Sequence, residues 1–208
     1  MDDRRPLIGA LRADVETFRD RVLALEPVGT GQPDAVTVVG EPTDDGLSAS
    51  GGPTDESPRA RLDRAPSPAA FDGPSDLEAF EALTPLERDL VWRLWVLDAV
   101  PFGLTLAGPA YQDTPVRYVN DGFERLTGYP LSAVRGKNLR LLQGPDTDDP
   151  AVESLREAVS IWEPVTTELR NYRRDGTGFV NRVSLVPIAG SDGAVANWVG
   201  IQAAVDSS

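Results

Sequence analysis

Residues 165–203 hold the feature that most limits what this chain can become. Three stretches, 165–172, 178–188 and 194–203, are rich in β-branched and apolar residues, and Asp175-Gly176 and Asp192-Gly193 stand between them. An Asp-Gly pair tolerates the positive φ angles of a tight turn, so these stretches predict three consecutive antiparallel strands. Upstream, 102–107 and 116–120 read as two more strands joined by a turn-rich loop, followed by short helical pieces that are clearest over 150–160. Strands, then helices, then a meander predict one compact α+β domain.

The rest of the chain divides by composition. Residues 5–26 place Ile8, Leu11, Val15, Phe18, Val22 and Leu25 at alternating spacings of three and four, with Pro6 in the first turn. That pattern predicts an amphipathic helix over 1–26, either a coiled coil or a helix docked on its own domain. Residues 27–74 are rich in Gly, Pro, Asp, Ser and Thr and poor in large apolar groups, which predicts a disordered linker. As a flexible coil it spans ~35–40 Å root-mean-square. Over 75–100, Ser75 precedes Glu78 and Thr84-Pro85 precedes Glu87, two capping-box patterns that predict helix starts. The second opens a helix over 85–100 with Leu86, Leu90, Leu94 and Leu97 on one side, widened by Val91, Trp92, Trp95 and Val96. So much apolar surface predicts a homodimer through this helix, with 5–26 as a second contact; the alternative is packing on the chain's own sheet. The remaining domain runs over 101–206.

Composition removes several kinds of chemistry. The 208 residues include neither Cys nor His, so thiolate nucleophiles, disulfides and imidazole bases are absent from this sequence. Net charge is -13, weighted toward Asp, and Lys137 is the one lysine. This balance predicts a halophilic, cytoplasmic setting, where dense carboxylates keep a protein in solution. It argues against direct nucleic-acid binding, which needs a basic face. The most apolar stretch, from Val91 to Leu106, is interrupted by Arg93, Asp98 and Pro101, so no membrane span is expected.

The nonapeptide Gly136-Lys137-Asn138-Leu139-Arg140-Leu141-Leu142-Gln143-Gly144 carries a more specific signal. With it, in order, stand the segments 118–129, Gly144-Pro-Asp-Thr-Asp148, 169–176 and Gly200-Ile-Gln202. Together these resemble light-oxygen-voltage (LOV) domains, the flavin-binding branch of the PAS family, over roughly half the chain. The resemblance implies an α+β PAS/LOV fold, a five-stranded antiparallel sheet with short helices on one face preceded by N-terminal helices, and a flavin pocket holding FMN, with FAD as the second choice. Asn138 and Gln143 would bond the ribityl chain, and Arg140 and Arg156 the phosphate. Asn171 and Asn181 would read the ring's uracil-like edge, and Gln202 would face O4 and N5. Amides suit such an edge because each carries a donor and an acceptor. The family's adduct-forming cysteine is replaced by Leu139, and Leu141 and Val180 stand where relatives often have aromatics.

The function this implies is a flavin-binding blue-light or redox sensor without an adduct, signalling by photoreduction to a semiquinone. Trp198, Tyr118, Tyr172 and Trp162 are the candidate electron donors. Output is expected as altered dimerisation or binding of a separate output protein, because the sequence stops at the last strand without a coupling helix. The alternative is a PAS scaffold for assembly that binds flavin weakly or not at all. No metal site and no enzymatic site are expected.

Overall fold

A computed structural model of the chain describes residues 4–24, 57–78 and 80–205. Its five strands are β1 (Gly103–Ala107), β2 (Val116–Val119), β3 (Val165–Tyr172), β4 (Gly178–Ala189) and β5 (Val195–Val205). They form one antiparallel sheet in the order β2-β1-β5-β4-β3. The last three are the expected meander, and β1 enters beside β5, so the first and last strands lie at the centre.

Register decides which side chains share a face. Thr105 pairs with Gly200 and Gly103 with Gln202, while Gln202 pairs with Val183 and Leu169 with Asn181. Directly opposed residues point the same way, so this set lines one face. Leu104, Leu106, Val186, Ile188, Val199 and Ile201 line the other and are buried. The first face is covered by α5 (Asp121–Thr127), α6 (Leu131–Val134), a 3-10 turn at Leu139–Leu142 and α7 (Asp149–Ile161).

The second face is closed by the amino-terminal segment, in four helices: α1 (Arg4–Leu11), α2 (Val15–Leu23), α3 (Pro58–Arg64) and α4 (Pro85–Val96). The expected continuous helix over 5–26 is broken. Asp14 is extended (φ -64, ψ 169) and its carboxylate accepts the Thr17 N–H at 2.9 Å, starting α2 afresh. The coiled-coil reading is corrected accordingly, because Leu7, Leu11, Phe18 and Val22 are buried against the chain's own core. Arg93 of α4 lies over the Phe18 ring and donates to the Ala13 carbonyl, so one buried guanidinium satisfies the turn between α1 and α2. Leu25 and residues 27–56 lie outside the described residues.

The linker expected over 27–74 is also corrected at its end. Ser57 caps α3 by accepting the Ala60 N–H at 3.2 Å, Pro58 fills the first turn, and Leu62 and Phe71 are buried. At Ser75 the expected helix gives way to a turn, with the Leu77 N–H on the Pro74 carbonyl at 3.1 Å. The Thr84/Glu87 box forms in full. Leu90, Val91, Trp92, Leu94, Val96 and Leu97 are all at most 1% exposed. The surplus of apolar groups that predicted a dimer is therefore absorbed within one chain.

Two buried carboxylates fasten this layer to the sheet. Glu87 accepts the Arg117 guanidinium at 3.0 Å, the Asn197 amide at 3.3 Å and the Thr84 N–H at 2.9 Å. Burial pushes its pKa up, but the bonds from Thr84 and Asn197 and the Arg117 charge outweigh that and hold it below the usual glutamate value. Asp98, just beyond α4, accepts Arg61 Nη1 at 3.0 Å and the Asp121 N–H at 2.7 Å. Here burial dominates, helped by the Asp121 charge against the Asp121 amide and Arg61, and the pKa rises to about 6.

Candidate functional site

The nonapeptide is shaped by its own polar residues. Gly136 takes φ 74, and Asn138 then caps the 3-10 turn, its Oδ1 accepting the Arg140 N–H at 2.8 Å. After Gln143 the segment is pinned to the edge of β3. Thr147 Oγ1 accepts the Gly144 N–H at 2.9 Å and donates to the Arg170 carbonyl at 2.7 Å, while Asp148 accepts the Arg170 N–H at 3.2 Å. Gly144 lies against Tyr172 so closely that an added Cβ would meet the ring at 2.4 Å. Tyr172 in turn donates to Asp146 at 2.9 Å.

This segment, α7 and the first sheet face enclose a cavity of about 410 Å³. Its apolar lining includes Leu139, Val152, Leu155, Val159, Leu169, Val183 and Leu185. Polar groups come from Asp113, Thr114, Asn138, Arg140, Gln143, Arg156, Asn171 and Gln202. Six of the seven expected binding residues thus reach the cavity wall. The seventh, Asn181, is fully buried beside it, donating from Nδ2 to Asn171 Oδ1 at 2.9 Å and to Gln202 Oε1 at 3.0 Å. Its own Oδ1 is buried without a partner among the described residues.

Asp113 and Thr114 were not expected from the sequence. Both take positive φ (66 and 44), and Asn138 Nδ2 donates to the Asp113 carbonyl at 2.8 Å and to Thr114 Oγ1 at 2.7 Å. Asp113 also pairs with Arg140, and Arg156 pairs with Glu153. The polar turn Gln112-Asp113-Thr114-Pro115 was the available signal, since Asp tolerates the left-handed region. Gly200 is a further such residue: a Cβ there would meet Thr105 Oγ1 at 2.4 Å, so the glycine leaves room for a buried hydroxyl beside Gln202.

The four aromatic candidates are scattered, and none lines the cavity. Trp198 shares the cavity-side face of β5 with Gln202, four residues away, and its Nε1 is buried without a partner among the described residues. Tyr118 pairs with Leu106, which puts it on the opposite face. Burial above all, then the charges of Asp98, Asp76 and Asp121, raise its phenol pKa well above the usual tyrosine value. Tyr172 lies on the Gly144 loop, and Trp162 is 58% exposed at the end of α7.

This topology and cavity define an α+β module with a pocket between its sheet and α7. Residues 105–203 match the PAS domain family. Over 106 residues the chain is 42% identical to the bacterioopsin transcriptional activator of Halobacterium salinarum, covering 51% of this chain and 16% of that protein. It is 45% identical over 103 residues to blue-light-activated histidine kinase 2 of Erythrobacter litoralis, covering 50% and 30%. It is 38% identical over 114 residues to a blue-light photoreceptor of Listeria monocytogenes, covering 55% and 44%. Among solved structures, the LOV domain of an Erythrobacter litoralis blue-light activated histidine kinase shares 42% identity, with a TM-score of 0.49 over 52% of this chain and 99% of that one. The chain spans less than half the length of each of the three curated relatives. Residues 105–203 thus form a PAS domain with relatives among blue-light photoreceptors, and the chain holds no cysteine.

Proposed function

We propose that this domain binds flavin, FMN in first place, and serves as a blue-light or redox sensor that works by flavin reduction in place of a cysteinyl bond. The observation that carries the reading is the cavity's donor set: two guanidiniums, Asn138 and Gln143 on its wall, and the amide row Asn171, Asn181 and Gln202 on the sheet. The orphaned Asn181 Oδ1 fits such a ligand, because a buried acceptor without a partner costs about 1–3 kcal/mol. A cavity of this size also falls in the usual range for small-molecule sites, roughly 300–1,000 Å³.

Bound flavin supplies absorption of blue light and an electron-accepting ring. The protein binds the ring edge through the amide row, keeps water from it with Leu139, Leu169 and Val183, and neutralises phosphate with Arg140 and Arg156. Trp198 is the favoured electron donor, since it is buried on the cavity side of β5. Gln202 responds to a changed ring edge by turning its amide. Its Oε1 accepts from Asn181, so turning it breaks that bond and shifts β5. Residues 101–206 act as the sensor in this scheme, and the helices within 1–26 and 75–100 relay its state to a separate output protein.

The test is the absorption spectrum of the protein supplied with FMN, before and after blue light without oxygen. A structured band near ~450 nm that light bleaches, and that the Asn181→Leu variant fails to show, supports the reading. A wild-type protein that takes up no flavin refutes it and leaves an assembly scaffold.

A further inference from the structure

The carboxyl-terminal end of α7 holds an apolar pair that its own fold leaves uncovered. Ile161 and Trp162 are 56% and 58% exposed, next to one another in sequence. Trp162 takes φ 62 and ψ 34, the left-handed conformation in which helices usually place glycine or asparagine. Its backbone is fixed, because the Glu163 N–H also returns to the Ala158 carbonyl at 3.0 Å and closes the helix. A large aromatic in a strained backbone, turned to solvent on a rigid support, is the pattern of an interaction anchor. The flanking charges are Glu157 and Glu163, both exposed and without an ion pair among the described residues, whereas the nearby Glu153 is taken up by Arg156.

We propose that Ile161 and Trp162 anchor a docking surface for a protein segment that presents an apolar side chain flanked by arginine or lysine. Charge selects this occupant. A second copy of a chain of net charge -13 brings further carboxylates to Glu157 and Glu163, while a basic segment pairs with them. The segment's apolar side chain covers the indole, and the fixed helix end means little order is lost on binding. The surface lies outside the cavity, yet the same helix lines that cavity with Val152, Leu155 and Val159, so a change there reaches the docking site through one rigid element.

The experiment selects a displayed library of random ~12-residue peptides on the full chain, with the Trp162→Gly variant as counter-selection. Glycine suits the left-handed position, so that variant keeps the backbone, and its thermal melt is recorded alongside. Enriched peptides are expected to combine an apolar residue with Arg or Lys and to bind Trp162→Gly at least ~10-fold more weakly. The Glu157→Gln/Glu163→Gln variant is expected to bind them several-fold more weakly at low salt only. No enrichment over Trp162→Gly overturns the proposal, as do enriched peptides without basic residues. Self-association in sedimentation that Trp162→Gly abolishes overturns it as well, because the occupant is then a second copy.

Discussion

Arg61→Met should unlatch α3 from the domain, and its cost should depend on pH in a direction the structure fixes. Arg61 Nη1 stands 3.0 Å from Asp98 Oδ2, with the two side chains 9% and 8% exposed, and it also donates to the Trp95 carbonyl at 2.9 Å. Removing one partner of a buried pair leaves the other charge without compensation, a cost of about 3–5 kcal/mol. Among the described residues Asp98 then keeps the Asp121 N–H and faces the Asp121 carboxylate. Its pKa is raised to about 6 from 3.8, so the folded state holds the proton more tightly than the unfolded chain. The stability this confers is fully present below about 4 and is lost as pH rises through about 6, at most ~3 kcal/mol for one group. Loss of the Arg61 cation raises the folded pKa further and carries the falling stability to higher pH. The deficit of Arg61→Met in urea unfolding should therefore be about 3–5 kcal/mol at pH 8 and markedly smaller at pH 5. Asp98→Asn should abolish most of the pH slope between these limits. Equal deficits for Arg61→Met at both pH values would refute the reasoning, since the carboxylate would then not be the group left unpaired.

Other positions give sharper local tests. Leu139→Cys, loaded with FMN, should show blue-light bleaching that recovers in the dark under oxygen-free conditions; spectra unchanged from wild type would mean residue 139 does not reach the ring. Glu87→Gln should cost about 2 kcal/mol in urea unfolding, because it weakens charge-assisted bonds to Arg117 and Asn197 together with the α4 cap. At the end of α7, Trp162→Gly should be more stable than Trp162→Ala by about 1 kcal/mol, since only the alanine pays the left-handed penalty there; equal melting temperatures would mean the helix end relaxes.

The sheet was readable because its signals are local. Val165–Tyr172 matches expectation at both ends, and the hairpins fall at the Asp-Gly pairs. The six residues that reach the cavity wall were readable because amides and guanidiniums at fixed places in a motif leave few alternatives. Elements that depend on distant partners were harder. The stripe from Ile8 to Val22 has coiled-coil spacing, yet Asp14 starts a second helix, and only the Arg93 side chain, far along the chain, explains why the turn is stable. Residues 57–71 look like linker by composition, but Leu62 and Phe71 anchor them to the core and Arg61 pairs with Asp98. Asp113 and Thr114 were missed because their strain is sustained by Asn138, a contact between loops.

Strand alternation suggests how the two faces communicate. Gln202, Gly200 and Trp198 lie on the cavity-side face of β5, while Asn197, Val199 and Ile201 on the same strand point into the helical layer. A displacement of β5 at Gln202 would be transmitted to α4 through Asn197, whose Nδ2 is shared between Glu87 at 3.3 Å and the Ala107 carbonyl at 3.2 Å. The apolar contacts of Val199 and Ile201 are not directional and can slide; a hydrogen bond to a buried carboxylate cannot stretch far without loss. Asn197→Ala should thus leave FMN uptake and photobleaching intact, since it lies on the face away from the cavity. It should remove most of any light-induced change in amide exchange along α4, measured by mass spectrometry on dark and illuminated protein. If α4 responds to light as strongly in Asn197→Ala as in wild type, the coupling runs through the apolar contacts instead, and the Glu87 hub only fastens the layer in place.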